Sequence, residues 1–188
     1  MLILASKSPR RVEILKNLGF TFKCSPTDVD EAFPNNLKTS KVAGYLAELK
    51  ANAAFLEHPN DVVLASDTIV VFKNKIFGKP TSTSDARNML SVLSGKKHIV
   101  YTGVSIKSSE KSVTFTQKTY VYFEKISQEE INNYIASGEP IDKAGAYAIQ
   151  GKGSKFVKKI KGDYYTVMGL PAAKVYKKLK EFEKMGDK

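Results

Sequence analysis

The chain has 188 residues and sets 30 Lys+Arg against 19 Asp+Glu, a formal net charge of +11. With 42% hydrophobic and 26% charged residues it has the composition of a folded protein rather than a disordered one, and at roughly 100–200 residues per domain a single domain over residues 1–188 is expected. One cysteine, Cys24, excludes an internal disulfide, and only His58 and His98 are available for imidazole chemistry, which argues against a zinc cage or a Ser-His-Asp triad.

Leu2-Ile3-Leu4-Ala5 reads as a buried strand. Ser8 and Pro9 then suit the N-cap and first position of a helix that carries Ile14, Leu15 and Leu18 on one side and stops at Gly19. Phe20–Cys24 is extended, and residues 26–38 form a loop containing Asp30 and Glu31. Residues 40–55 are an amphipathic helix with Lys50 near its end. Val62–Ala65 is a second buried strand, broken at Ser66-Asp67-Thr68 and resumed over Ile69–Phe72. Asn74-Lys75 suits a hairpin tip and Gly78-Lys79-Pro80 a turn, and Ser84 caps a helix ending at Ser94-Gly95. Residues 98–106 and 113–123 alternate as an antiparallel pair. Ser127 to Glu130 is a capping box for a helix that stops at Gly138. A Gly/Ala-rich stretch, a last strand over Phe156–Ile160 and a lysine-rich C-terminal helix complete a mixed α/β pattern.

No apolar run reaches the roughly 18 residues of a membrane helix. The N-terminal MLILASKSPRR places its apolar residues before its charges, the reverse of an export signal, so the cytoplasm is the expected compartment. The positive charge suits a nucleic acid, an acidic lipid or a small polyanion such as a nucleotide. Part of it, in KVYKKLKEFEKMGDK, is expected to be a solvated helix face.

Chemistry concentrates in a few places. In Leu4-Ala5-Ser6-Lys7-Ser8-Pro9-Arg10-Arg11 a strand feeds a polar turn and a helix start. Free N–H groups, the Ser6 and Ser8 hydroxyls and the Arg10 and Arg11 forks there suit phosphate oxygens; the competing reading is a capped helix with exposed arginines. Asp67, at the end of an apolar strand, suits a general base or a metal ligand, or else a hydrogen-bonded turn aspartate. Lys50 and Lys79 are isolated cations, and Glu31 is half of an acidic pair that either binds metal or is solvated. Gln150 sits among small residues where an amide could read the edge of a pyrimidine, or simply be buried.

Taken together, Leu4–Arg11, Leu49-Lys50-Ala51, Ser66-Asp67-Thr68, Gly78-Lys79-Pro80, Ser94–His98, Tyr101–Val104, Asp142–Gly151 and Gly169-Leu170-Pro171 resemble the Maf family of nucleoside triphosphate pyrophosphatases over nearly the whole chain. The resemblance implies a two-lobed α/β fold like that of inosine triphosphate pyrophosphatases, with an elongated mixed sheet, flanking helices and a central cleft. It implies hydrolysis of a triphosphate to monophosphate and pyrophosphate with Mg²⁺ or Mn²⁺. Asp67 takes the place of the general base, with Lys50 and Lys79 as catalytic cations. Ser6, Arg10 and Arg11, to which the residue reading adds Ser8, contact the phosphates. Arg10, Thr68 and Gln150 set base preference, and Glu31 with Asp67 holds the metal. Arg10-Arg11 after Pro9, with Thr68 and Gln150, is similar to the branch acting on dTTP and UTP. The chain departs from the usual pattern at Ala148, where glycine is usual, and at Thr166-Val167-Met168. A homodimer stays open. The alternative is a non-enzymatic nucleotide- or nucleic-acid-binding regulator linked to septum formation. Nucleic acid is disfavoured as a partner, because no helix-turn-helix or interleaving of basic and aromatic residues is evident in the sequence.

Overall fold

The computed structural model describes residues 1–186; Asp187 and Lys188, the end of the basic tail, lie outside the described residues. Strands are β1 (Leu2–Ala5), β2 (Phe22–Cys24), β3 (Val62–Phe72), β4 (Lys75–Phe77), β5 (Lys97–Lys107), β6 (Ser112–Phe123) and β7 (Val157–Lys161). Helices are α1 (Pro9–Asn17), α2 (Thr39–Glu57), α3 (Thr83–Leu93), α4 (Gln128–Ala136), α5 (Tyr164–Met168) and α6 (Ala172–Gly186). The strands form one mixed sheet in the order β2-β1-β3-β5-β6-β7, with β4 paired to β3. The chain divides into two compact units. One holds Met1–Asp67, Thr102–Gln117 and the segment from Gly169 onward, the other Thr68–Tyr101 and Lys118–Met168.

In the first unit β1 pairs in parallel with both β2 and β3, Leu2 lying opposite Phe22 on one side and Val62 on the other. Parallel neighbours need a crossover, which α1 and α2 supply. Strands covered on both faces are apolar at successive positions, hence the runs LILA and VVLA. Ile3, Ala5, Val63 and Ala65 form a core with Ala51 and Ala54 of α2. These small residues bring α2 close to the sheet. At Gly103 of β5 a Cβ would lie 2.0 Å from the Ala43 carbonyl oxygen, and at Gly44 one would lie 2.6 Å from Thr116 Oγ1. Helix backbone therefore rests directly on the strands. In α6, Val175, Leu179 and Phe182 are buried. Lys178 and Lys180 pair outward with Glu181 and Glu183, as expected of a solvated face.

In the second unit β3 turns into β4 through Lys73 and Asn74, at φ of 46° and 62°. Two successive left-handed residues give the twist that a two-residue hairpin needs. The core joins Leu90 and Leu93 of α3, Val100, Val121, Phe123, and Ile131 and Tyr134 of α4. The capping box of α4 is complete: Ser127 Oγ accepts from Glu130 N at 3.2 Å and Glu130 Oε2 accepts from Ser127 N at 2.8 Å.

Two local expectations are corrected, and one element is new. Residues 66–68 do not interrupt β3, because Ser66 is fully buried with its hydroxyl placed between two carbonyls, so its polarity costs the strand nothing. The cap of α3 is Ser82 rather than Ser84; its Oγ accepts from Asp85 N at 3.1 Å. The short helix α5 had no apolar periodicity to announce it; Asp163 Oδ2 starts it by accepting from both Thr166 N and Thr166 Oγ1.

Candidate active site

The functional groups of the first unit are set by the ends of β1 and β3 and by one turn of α2. Chain leaving β1 folds over at Ser6, whose Oγ accepts from Ser8 N at 3.2 Å and from Arg11 Nη1 at 3.3 Å. Ser8 occupies the N-cap position of α1 and Pro9 follows it, but the Ser8 side chain makes no capping bond. Arg11 also donates from Nε to the Gly169 carbonyl at 2.8 Å. Burial lowers the pKa of its guanidinium, the Asp67 carboxylate opposes that, Arg10 lowers it further and Glu31 raises it. An enclosed cation between a carbonyl and a hydroxyl is oriented before any ligand arrives.

Lys50 projects from α2 with its stem mostly covered. Its Nζ lies 2.6 Å from Asp67 Oδ1 and 2.8 Å from Glu31 Oε1. The Asp67 side chain is 12% exposed and that of Glu31 is 59% exposed. The ammonium thus joins one buried carboxylate fixed on a strand to one largely exposed to solvent. Of the acidic pair in the loop, only Glu31 reaches Lys50; Asp30 instead accepts from Ala32 N at 3.1 Å and shapes the turn. Ser66 and Asp67, adjacent on β3, point to opposite sides of the strand. Ser66 Oγ lies 2.8 Å from the Gly103 carbonyl and 2.9 Å from that of Gly169. Gly169 is therefore the shared acceptor of Arg11 and Ser66, a junction that no local motif signals because its members are far apart in sequence.

The structure brings Ser6, Ser8, Arg10, Arg11, Glu31, Lys50 and Asp67 into the first unit. Thr68, Lys79 and Gln150 belong to the second. Thr68 is half-buried on β3, while Lys79 and Gln150 are exposed. His98 is a core residue. It is 1% exposed, packs edge-on against Phe123 and shares a 2.8 Å hydrogen bond with the Tyr147 hydroxyl. Burial pushes its pKa down to about 3, and burial pushes the Tyr147 phenol up.

Among the described residues no group of three or more His, Cys, Asp and Glu is arranged as an all-protein metal cage. The Asp67–Lys50–Glu31 cluster instead presents two carboxylates converging on one cation. A magnesium-type ion that keeps several waters and is held by one or two carboxylates together with substrate phosphates fits that donor set.

The Maf-like protein profile matches residues 1–182. The chain belongs to the Maf-like protein family. It is 49% identical over 182 residues to the dTTP/UTP pyrophosphatase of Bacillus mycoides (strain KBAB4), covering 97% of this chain and 95% of that one. It is 47% identical, with the same coverage, to the dTTP/UTP pyrophosphatase of Bacillus cereus (strain B4264). The Staphylococcus aureus Ham1 protein structure shares the α/β fold at a TM-score of 0.56 and 13% identity, over 100% of this chain and 99% of that one. No helix among the described residues is long and apolar enough to cross a membrane.

Proposed function

We propose that this Maf-like chain is a hydrolase that cleaves nucleoside triphosphates, dTTP and UTP in particular, between the α- and β-phosphates, releasing the monophosphate and pyrophosphate. The observation that carries this reading is the Lys50 ammonium held between Asp67 and Glu31, with the enclosed Arg11 electrostatically coupled to both carboxylates. The names of relatives at 47–49% identity support the substrate. Free nucleotides as substrate support a cytoplasmic activity. Residues 1–188 are read as one functional domain, supported by a family match that runs unbroken over residues 1–182.

Hydrolysis forms a bond between a water oxygen and the α-phosphorus and breaks the bond from that phosphorus to the oxygen bridging to the β-phosphate. Its demands are charge neutralisation and an aligned water. Arg11, oriented by Ser6 and Gly169, and Arg10 beside it bind phosphate oxygens, with the Ser6 and Ser8 hydroxyls in reach of the same polyanion. Lys50 fixes the Asp67 carboxylate through their 2.6 Å ion pair. Asp67 uses the oxygen not engaged by Lys50 to align the water and accept its proton. Glu31, with its carboxylate largely in solvent, and Asp67 would hold a divalent ion, which would supply positive charge at the phosphate oxygens. Lys79 is assigned to the phosphates, and Thr68 and Gln150 to the base.

Purified chain incubated with Mg²⁺ and dTTP, UTP or other triphosphates tests this through pyrophosphate release. In H₂¹⁸O the label is expected in the monophosphate; label in pyrophosphate would move the attack to the β-phosphorus and refute the mechanism.

A further inference from the structure

Gln150 is exposed on a stretch with little regular structure, yet the backbone on both sides of it is fastened. After Gln150, Glu139 Oε2 accepts from Lys152 N at 2.9 Å and Glu139 Oε1 accepts from Gly153 N at 3.0 Å. Before it, Ala148 N donates to the Tyr134 hydroxyl at 3.2 Å, and that hydroxyl donates to Glu139 Oε1 at 2.8 Å. One tyrosine and one carboxylate therefore tie down three amides bracketing a single side chain. Gly151 completes the fit: it adopts a left-handed φ of 115°, and a Cβ there would lie 2.8 Å from Glu139 Oε2. Farther upstream, Gly145 N donates to the Gly78 carbonyl at 3.0 Å, so the same stretch is tethered next to Lys79. Tyr134 is itself anchored, 2% exposed and packed edge-on against Phe156 at 5.1 Å between centroids.

This arrangement answers a chemical difficulty. A glutamine amide carries both a donor and an acceptor and can turn over, so alone it suits either the carbonyl edge of thymine and uracil or the amino edge of cytosine. What it discriminates depends on where its backbone holds it. We infer that Glu139 and Tyr134 are positioning residues for base selectivity: they act through the backbone flanking Gln150 and fix the amide against the pyrimidine edge. The inference rests on the proposed pyrophosphatase reading, and within it assigns specificity to two residues outside the expected site.

The experiment compares wild type, Glu139→Gln, Tyr134→Phe, Gln150→Ala and the Glu139→Gln/Gln150→Ala double variant, with dTTP and dCTP as substrates and with thermal melting alongside. Glu139→Gln keeps the shape but leaves one acceptor oxygen for three donors and turns an NH₂ toward an N–H. The phenylalanine at 134 keeps the buried ring and removes only the link, so it serves where the first variant folds poorly. Each single variant is expected to raise KM for dTTP and to compress the dTTP-to-dCTP preference by about tenfold, with kcat for dTTP little changed. The double variant is expected to be no worse than Gln150→Ala, since the positioning residues act only through that side chain. Retention of the wild-type preference in Glu139→Gln and Tyr134→Phe overturns the inference. So does an equal fall of kcat for both substrates, or multiplication of the losses in the double variant. A wild-type chain that releases pyrophosphate from no triphosphate refutes the proposed function and this inference with it, whereas an active, selective wild type with unaltered variants refutes the inference alone.

Discussion

Two carboxylate clusters, one in each unit, differ in what satisfies them. Asp67 and Glu31 are held by a side-chain cation, Lys50. Glu139 is held by two backbone amides and a tyrosine hydroxyl. Burial raises the Glu139 pKa, but these hydrogen bonds, with Lys143 nearby, outweigh burial and leave it below the ordinary value. A lysine can exchange its partners for a phosphate or make room for a metal, while backbone amides have nowhere to go. Under the proposed reaction the first cluster changes partners during turnover and the second stays as it is. Partner type, more than burial or charge, is what distinguishes the two clusters.

The hardest test of that contrast is Asp67→Asn. It preserves shape and removes the proton acceptor, so pyrophosphate release should fall by about 10²–10⁴-fold while circular dichroism stays native; wild-type turnover would break the comparison. The neutral polar core of the second unit predicts a pH effect. His98 is uncharged when folded, its pKa being about 3, whereas the unfolded chain takes up the proton below about pH 6.5. Protons therefore favour unfolding in that window. The contribution is fully present above about pH 6.5 and is lost toward about pH 3, at up to ~1.4 kcal/mol per pH unit, which urea titrations at stepped pH should resolve. Tyr147→Phe should cost about 1–3 kcal/mol in the same assay. His98 Nδ1 already lacks a hydrogen-bond partner, and the substitution would strand Nε2 as well. Ser127→Ala removes the capping box of α4 and should cost about 1 kcal/mol. Smallest of all, Glu31→Gln should shift stability by no more than ~0.5 kcal/mol, because the Glu31 end of its pair with Lys50 is largely solvated. If it slows turnover far more than it destabilises, the solvated carboxylate serves the reaction and not the fold.

Much of this was legible in the sequence wherever a local rule applied. The runs LILA and VVLA announce parallel strands, Ser127 and Glu130 announce a helix start, and Asp67 stands out as an acid on an apolar strand. The continuity of β3 was not legible, because the carbonyls that satisfy Ser66 come from Gly103 and Gly169. Nor was the difference between Asp30 and Glu31, adjacent acids that one lysine distinguishes. Glu139 carries no signal in the sequence, since a carboxylate that binds amides well along the chain leaves no periodic trace.

The direct seating of Ala43 on Gly103 has a practical consequence for engineering. Lys50 lies about two helical turns along α2 from that seat, so the height of its ammonium above the sheet is inherited from main chain meeting main chain. Repacking the surrounding methyl groups should therefore be tolerated by a protein designer seeking altered substrates. Enlarging position 103 by a single carbon would lift the whole rod and carry the ammonium away with it.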